Sequence, residues 1–232
     1  MNYRNKIAYV LVRKLGFSFK EVNKAIKEGR VAVNQQIVFD NVLLNAYDTL
    51  SFDHTILQSP DQFQYYAYHK PRGVECSLSA QIPDSLFYQA PAELKGLIYA
   101  GRLDKDSEGL LILMNDGHLY NQIIQPKYKV DKQYEVHLEK PHDDAFLKQL
   151  SEGVTIKGGT TLPCKVWAIT PNSFGIVLNQ GLNRQIRRMC FALGNYVTQL
   201  TRLSIGNVQL GELPAGAYRK LDKEEISHLR NL

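Results

Sequence analysis

The sequence predicts two domains that both mix helix and strand: a small N-terminal unit at 1–60 and an α+β domain at 61–232 built on a mixed, mainly antiparallel sheet. Three observations lead there. Helical periodicity fills the first thirty residues and then gives way to short alternating runs. A polar stretch at 54–64, with a Ser-Pro pair and neither period, reads as a linker. Beyond it, strand-like runs outnumber helical ones, which favours antiparallel or mixed pairing over a doubly wound parallel sheet.

In chain order, Ile7, Val10, Leu11 and Leu15 fall at helical spacing, and Gly16 ends the pattern. Ser18 with Glu21 forms a capping box for a second helix, with Val22, Ala25 and Ile26 as its buried stripe and Gly29 as its C-terminal cap. Alternation at 31–34 and again at 50–52 gives short strands. In the second domain, strands are expected at 65–69, 110–114, 130–138, 164–169, 174–178 and 197–200, and helices at 144–150, 184–193 and 223–229. In the helix at 184–193, Ile186, Met189, Cys190 and Leu193 face the core and leave Arg184, Arg187 and Arg188 on other faces.

The net charge of +5 is unevenly placed. Residues 1–30 hold eight Lys/Arg against two acids, whereas 31–232 hold twenty basic and twenty-one acidic side chains. Arg4, Lys6, Arg13, Lys14, Lys20, Lys24, Lys27 and Arg30 mark the helical face, and 31–60 have no Lys or Arg. A second basic stretch is masked in the total, because 153–211 contain six Lys/Arg and no acid. Such segregation points to a polyanion, with nucleic acid the leading partner class. Cys76, Cys164 and Cys190 are too few and too scattered for a disulfide framework or a metal knuckle, which fits a reduced, cytoplasmic setting. The apolar run after MNYRNK is six residues long before Arg13-Lys14, too short for a secretion signal, and no later run reaches the roughly 20 residues of a membrane span.

The most informative string is Gly101-Arg102-Leu103-Asp104-Lys105-Asp106-Ser107-Glu108-Gly109, a charged loop running straight into the apolar Leu110-Leu111-Ile112-Leu113. A rigid strand end can present a carboxylate to a substrate. Asp104, Asp106, Glu108 and Gly109 imitate the start of a calcium loop, but the twelfth position is Asn115 and a strand follows where a helix is needed. A solvated turn is the plain alternative. A glycosidase would need a second acid across the scissile bond, and only Asp106 or Glu108 stands near.

Four strings in order carry a family resemblance: the Gly101–Leu111 loop, His69-Lys70-Pro71-Arg72-Gly73, Lys132-Gln133-Tyr134-Glu135-Val136, and Gln180-Gly181-Leu182-Asn183-Arg184-Gln185-Ile186-Arg187-Arg188-Met189-Cys190. Together they resemble the RsuA/RluB/RluE/RluF family of ribosomal RNA pseudouridine synthases, the last string being most like the RluF branch. His69 stands where Asn is common, and Met114 where Thr often precedes Asn-Asp-Gly. The front of the chain, through Ala25-Ile26-Lys27-Glu28-Gly29-Arg30-Val31-Ala32-Val33-Asn34, is similar to the S4 RNA-binding domain. It departs at Asn34-Gln35, where Asn-Gly is usual, and at Ser18-Phe19, where Ser-Arg is usual.

The resemblance implies an S4-like module followed by a catalytic domain that isomerises uridine to pseudouridine. That reaction breaks C1′–N1, turns the uracil and joins C5 to C1′, with no redox step, cofactor or metal. An ordinary carboxylate is ionised at neutral pH; beside the sugar it can attack C1′ or remove a C2′ proton, and the sequence leaves both routes open. By resemblance Asp104 is the essential catalytic residue, Tyr134 stacks on the target base and assists loss of the C5 proton, and Arg187 forms a salt bridge with Asp104. From its strand pattern alone, Tyr134 reads by default as an ordinary core tyrosine. The target base leaves its stack, with Arg102 holding the vacated space. Lys70, Arg184 and Arg188, with Arg13, Lys14, Lys20, Lys24, Lys27 and Arg30, are expected to contact RNA. The implied partner is ribosomal RNA, the 23S species by the RluF-like string, free or within a pre-ribosomal particle, and the implied state is a monomer.

Overall fold

The structure, a computed structural model, describes residues 6–231, so Arg4 of the basic face lies outside the described residues. The chain divides into two compact units, 1–63 and 64–232.

In the first unit, α1 (Ile7–Leu15) and α2 (Phe19–Lys27) cover an antiparallel sheet of β1 (Val31–Val33), β2 (Gln36–Ile37), β3 (Leu50–Phe52) and β4 (Thr55–Gln58), in the order β2-β1-β3-β4. The capping box forms as expected: Glu21 N–H donates to Ser18 Oγ at 3.3 Å, and Ser18 N–H donates to Glu21 Oε2 at 2.8 Å. Ile7, Leu11, Val22, Ala25 and Ile26 join Val31, Leu50 and Phe52 in one buried cluster. Burial of this stripe, more than intrinsic propensity, holds nine-residue helices together.

The expected linker at 54–64 is a correction, because β4 and a short 3₁₀ turn at Pro60–Gln62 occupy it. Asp53 and His54, with φ of 45° and 65°, make a tight two-residue turn from β3 into β4 without a glycine to advertise it. The β4 side chains are partly or fully exposed, so the strand shows no apolar alternation.

The second unit contains β5 (Tyr65–Lys70), α3 (Leu86–Gln89), β6 (Ile98–Ala100), β7 (Glu108–Met114), α4 (Gly117–Ile124), β8 (Lys132–Leu138), α5 (Asp144–Glu152), β9 (Thr155–Ile156), β10 (Gly159–Thr160), β11 (Lys165–Thr170), β12 (Ser173–Leu178), α6 (Gln185–Ala192), β13 (Val197–Ile205), β14 (Val208–Gln209), β15 (Tyr218–Lys220) and α7 (Lys223–Arg230). A nine-stranded sheet runs β11-β12-β8-β13-β7-β5-β15, with β14 beside β13 and β6 beside β7, while β9 and β10 form a separate hairpin. Its pairs are antiparallel except β13 with β7, so the sheet is mixed and mainly antiparallel. Every strand and helix expected in this domain is present, with β13 running on to Ile205. No helix among the described residues is long and apolar enough to cross a membrane.

Two apolar clusters pack this sheet. One gathers Val136, Phe174, Ile176, Ile186, Met189 and Cys190; the other gathers Tyr68, Leu86, Leu94, Leu103, Leu111 and Leu113. Tyr134 packs against both and so marks their junction. Leu193 packs against the first cluster, on the face of α6 that the sequence assigns to the core.

Candidate active site

The loop 101–107 leaves β6 and re-enters the sheet as β7. Along one edge of β7 the pairing partner changes, from β13 at 108–109 to β6 at 112–114. The fork between them is filled by Arg202 of β13, which is 1% exposed. Its guanidinium group donates to the carbonyls of Leu110 at 2.7 Å, Gly101 at 3.0 Å and Arg102 at 3.4 Å. One buried cation therefore ties the beginning of the loop to the strand that ends it.

Asp104 is held by its neighbours in the chain. Leu103 is buried in the core on one side, its N–H directed at Cys76 Sγ at 3.4 Å. On the other side, the buried Ser107 donates its N–H to the Asp104 carbonyl at 3.0 Å, closing a turn. The side chain of Asp104 is left 29% exposed, facing a cavity of about 840 Å³ that Tyr134, Arg102, Arg184, Lys132 and Arg202 also line. The far wall comes from α4, through Tyr120, Ile123 and Ile124. Tyr134 is half-buried, and its hydroxyl makes no hydrogen bond among the described residues.

The arginines divide the loop differently from expectation. Arg184 Nη1 lies 3.5 Å from Asp104 Oδ2, and the same guanidinium forks onto Asp106 with bonds of 2.9 and 2.8 Å. Arg187, expected on Asp104, instead bonds the Asp106 carbonyl at 2.9 Å, Ser107 Oγ at 3.2 Å and the Val197 carbonyl at 3.0 Å, with Nε 3.4 Å from the Asp106 carboxylate. The reason lies in the start of α6: Arg184 is in the left-handed region just before the helix, while Arg187 is one turn in and 11% exposed, low against the loop backbone. The Arg184 fork, and then the nearby Arg187 charge, hold the Asp106 carboxyl below the usual range despite its partial burial. Burial pulls Arg187 down, against the pull of Asp106. Asp106 is thus clamped, and Glu108 accepts from Gln199 and Thr201, so neither stands free as a second acid.

Three of the expected RNA contacts change role. Lys70 is 0% exposed and donates to the carbonyls of Pro71 at 2.8 Å and Val74 at 2.7 Å, so it braces the 71–74 turn from inside. Burial lowers its pKa, with Cys76, Glu75, Asp106 and Glu108 opposing. Arg188 bonds the carbonyls of Lys157 and Asn183, supporting the loop before α6. Arg30 forks onto Asp53 and lies over the Phe52 ring at 4.7 Å, which closes the β3–β4 turn. Arg102 remains accessible, 73% exposed, with Glu75 at 3.6 Å. Arg13, Lys20, Lys24 and Lys27 are exposed, Lys24 lying 3.7 Å from Glu28 and Lys14 donating to the Leu57 carbonyl.

Two charged groups of the cavity escaped the sequence reading. Arg202 shares the inward-facing register of β13 with the buried Leu200 and Ser204, and an arginine at an apolar register was the available signal. Lys132 stands out in the sequence only as part of a motif; burial and the neighbouring Arg202 pull its pKa down to about 8, against Asp131.

The RNA pseudouridylate synthase family model matches residues 64–192, which include the loop, Tyr134 and both arginines of α6. The chain belongs to the RsuA/RluF family of RNA pseudouridine synthases. It is 36% identical over 219 residues to the dual-specificity RNA pseudouridine synthase RluF of Salmonella typhi, covering 93% of this chain and 75% of that one. It is 31% identical over 224 residues to the ribosomal small subunit pseudouridine synthase A of Haemophilus influenzae, covering 94% and 97%. A crystal structure of a pseudouridylate synthase superposes with a TM-score of 0.68 at 31% identity, covering 97% of this chain and 99% of that one. The synthase is therefore an isomerase.

Proposed function

We propose that this synthase isomerises a uridine of ribosomal RNA, the 23S species, with Asp104 as the group that acts on the sugar. The observation that carries the reading is the isolation of Asp104: its loop is anchored on both sides, its neighbouring acids are engaged elsewhere, and it alone of the loop acids faces the cavity. Arg184 supplies the facing positive charge at 3.5 Å. Tyr134 offers a half-buried ring at the junction of two cores, a rigid surface for a flipped base. Arg102, exposed at the mouth, suits the space that the base vacates.

The Asn183–Cys190 string supports a 23S target on the RluF pattern. A small-subunit target is the second reading, favoured by the 31% identity to the ribosomal small subunit pseudouridine synthase A of Haemophilus influenzae. Carbodiimide mapping of pseudouridine in rRNA from cells with and without the gene separates the two: one 23S site should disappear on deletion and return with the wild-type gene but not with Asp104→Asn. A lost 16S site establishes the second reading; restoration by Asp104→Asn defeats the assignment of Asp104.

A further inference from the structure

The floor of the cavity holds a cation that the proposed roles do not use. Lys132 opens β8 two residues before Tyr134, on the same face of the strand, and both side chains line the cavity. Its ammonium donates to the Val130 carbonyl at 3.0 Å. That bond uses one of its three N–H groups, and no carboxylate pairs with it among the described residues. Arg202 is its neighbour: a methyl group placed on Gly101 would stand 3.7 Å from Arg202 Nη1 and 4.0 Å from Lys132 Cε. Arg202 commits three of its five N–H groups to backbone carbonyls. Two cations thus line the cavity beside Gly101, which precedes Asp104 by three residues in the loop.

Burial first, and then the like charge of Arg202, disfavour the charged lysine, and the lowered pKa records that cost. Asp131 offsets it only in part. A preorganised positive potential of this kind is matched by negative charge that arrives with substrate or develops during reaction. RNA brings phosphates, which are hydrated and permanently charged, and the exposed guanidinium of Arg102 at the mouth suits them. The floor beside Tyr134 is instead within reach of the flipped base. When C1′–N1 breaks, the bonding pair stays with the uracil and spreads over N1 and the ring carbonyl oxygens.

We infer that Lys132 donates a hydrogen bond to a carbonyl oxygen of the departing uracil and stabilises the anion formed on cleavage of the C1′–N1 bond. The inference rests on the reading of this cavity as the uridine site. The lysine keeps its proton throughout. The pair returns to carbon when C5 bonds to C1′; the C5 proton then leaves to a base and N1 takes up a proton, so the product is neutral. The role is the same whether Asp104 attacks C1′ or removes the C2′ proton.

The test uses the full-length enzyme and a transcript spanning the uridine mapped as above, in single-turnover reactions at saturating enzyme. Lys132→Met should slow conversion on the order of 100-fold, the usual loss for one preorganised donor, with RNA Kd within about threefold, and Lys132→Arg should recover most of the rate. A second transcript carries 5-fluorouridine at the target, a base whose anion is more stable and leans less on the enzyme. Its cleavage, read as loss of the 5-fluorouridine nucleoside, should be slowed at least about tenfold less by Lys132→Met. Equal slowing on both transcripts, or a weaker Kd at an unchanged rate, overturns the inference. Lys132→Gln, which can still reach the Val130 carbonyl, replaces the Met variant if that variant does not melt cooperatively. Activity retained by Asp104→Asn in the same assay overturns the reading of the site itself, and the inference with it.

Discussion

Single side chains in this site carry loads that their residue types do not announce. Arg187 is the clearest case, because its three acceptors belong to two chain segments and include two backbone carbonyls. Lysine cannot span them with one ammonium. Arg187→Lys is expected to lower stability by about 1–3 kcal/mol, the range for breaking a buried charged hydrogen-bond set, and activity with it, both visible in melting curves and turnover. Arg184 is largely at the surface, so Arg184→Lys should leave the melting temperature nearly unchanged while reducing activity through the loss of its fork; equal thermal losses for the two variants would sink this division. Lys132 makes a separate prediction about pH. Its folded pKa of about 8 lies below the ordinary lysine value near ~10.4, so between those values the unfolded chain binds the extra proton and stability rises with pH. Below pH 8 the penalty is constant. Lys132→Met should therefore be the more stable protein at pH 7, by up to roughly 3 kcal/mol, with the difference fading towards pH 10.5 in paired melting experiments. The identities at this scale were legible through the motifs, but the partners were not: residue spacing places Arg184 and Arg187 on one helix, whereas which of them meets Asp104 depends on how α6 is entered.

Elements were legible where one face is apolar and obscure where it is not. The alternation Tyr134, Val136, Leu138 and the helical spacing Ile186, Met189, Cys190 are direct imprints of burial, and both elements form there. The fork between β13 and β6 left no such imprint, because it is defined by which strands pair rather than by any residue's polarity. Only Gly109 hints at it. With φ of 109°, it faces β13 so closely that an added Cβ would lie 2.4 Å from the Arg202 carbonyl oxygen and 2.5 Å from its nitrogen. Backbone cannot yield as a flexible side chain does. Gly109→Ala is thus expected to cost more than about 3 kcal/mol and to displace the loop that carries Asp104, giving a poorly folded or inactive protein; a variant that melts and turns over like wild type would contradict the parallel contact. The β1–β2 turn tests the opposite direction. Gln35 adopts φ of 67° in a turn position that suits glycine. Gln35→Gly should raise stability by about 1 kcal/mol, read as a higher melting temperature with activity unaffected.

For the molecule as a whole, charge and chemistry are divided between the two units. The net charge of +5 arises from the first thirty residues, and the cavity lies wholly in the second unit. If the first unit holds RNA and the second reacts with it, as proposed, the two should be separable by experiment. In the first unit Arg30 is spent on Asp53, and Lys14 on the Leu57 carbonyl. Arg13, Lys20, Lys24 and Lys27 remain exposed as the groups best placed to meet phosphates. Each phosphate contact releases counterions, which steepens the dependence of binding on salt by roughly 0.7–0.9 in log–log slope. Lys20→Gln, Lys24→Gln and Lys27→Gln combined should therefore weaken binding to the target transcript at moderate salt and flatten the slope by up to about 2–3. The single-turnover rate at saturating enzyme should stay at the wild-type value, because none of the three lies in the unit that carries Asp104. An unchanged slope would show that these lysines only solvate the helices, and a slowed rate at saturation would show that the helices act on the chemistry as well as on affinity.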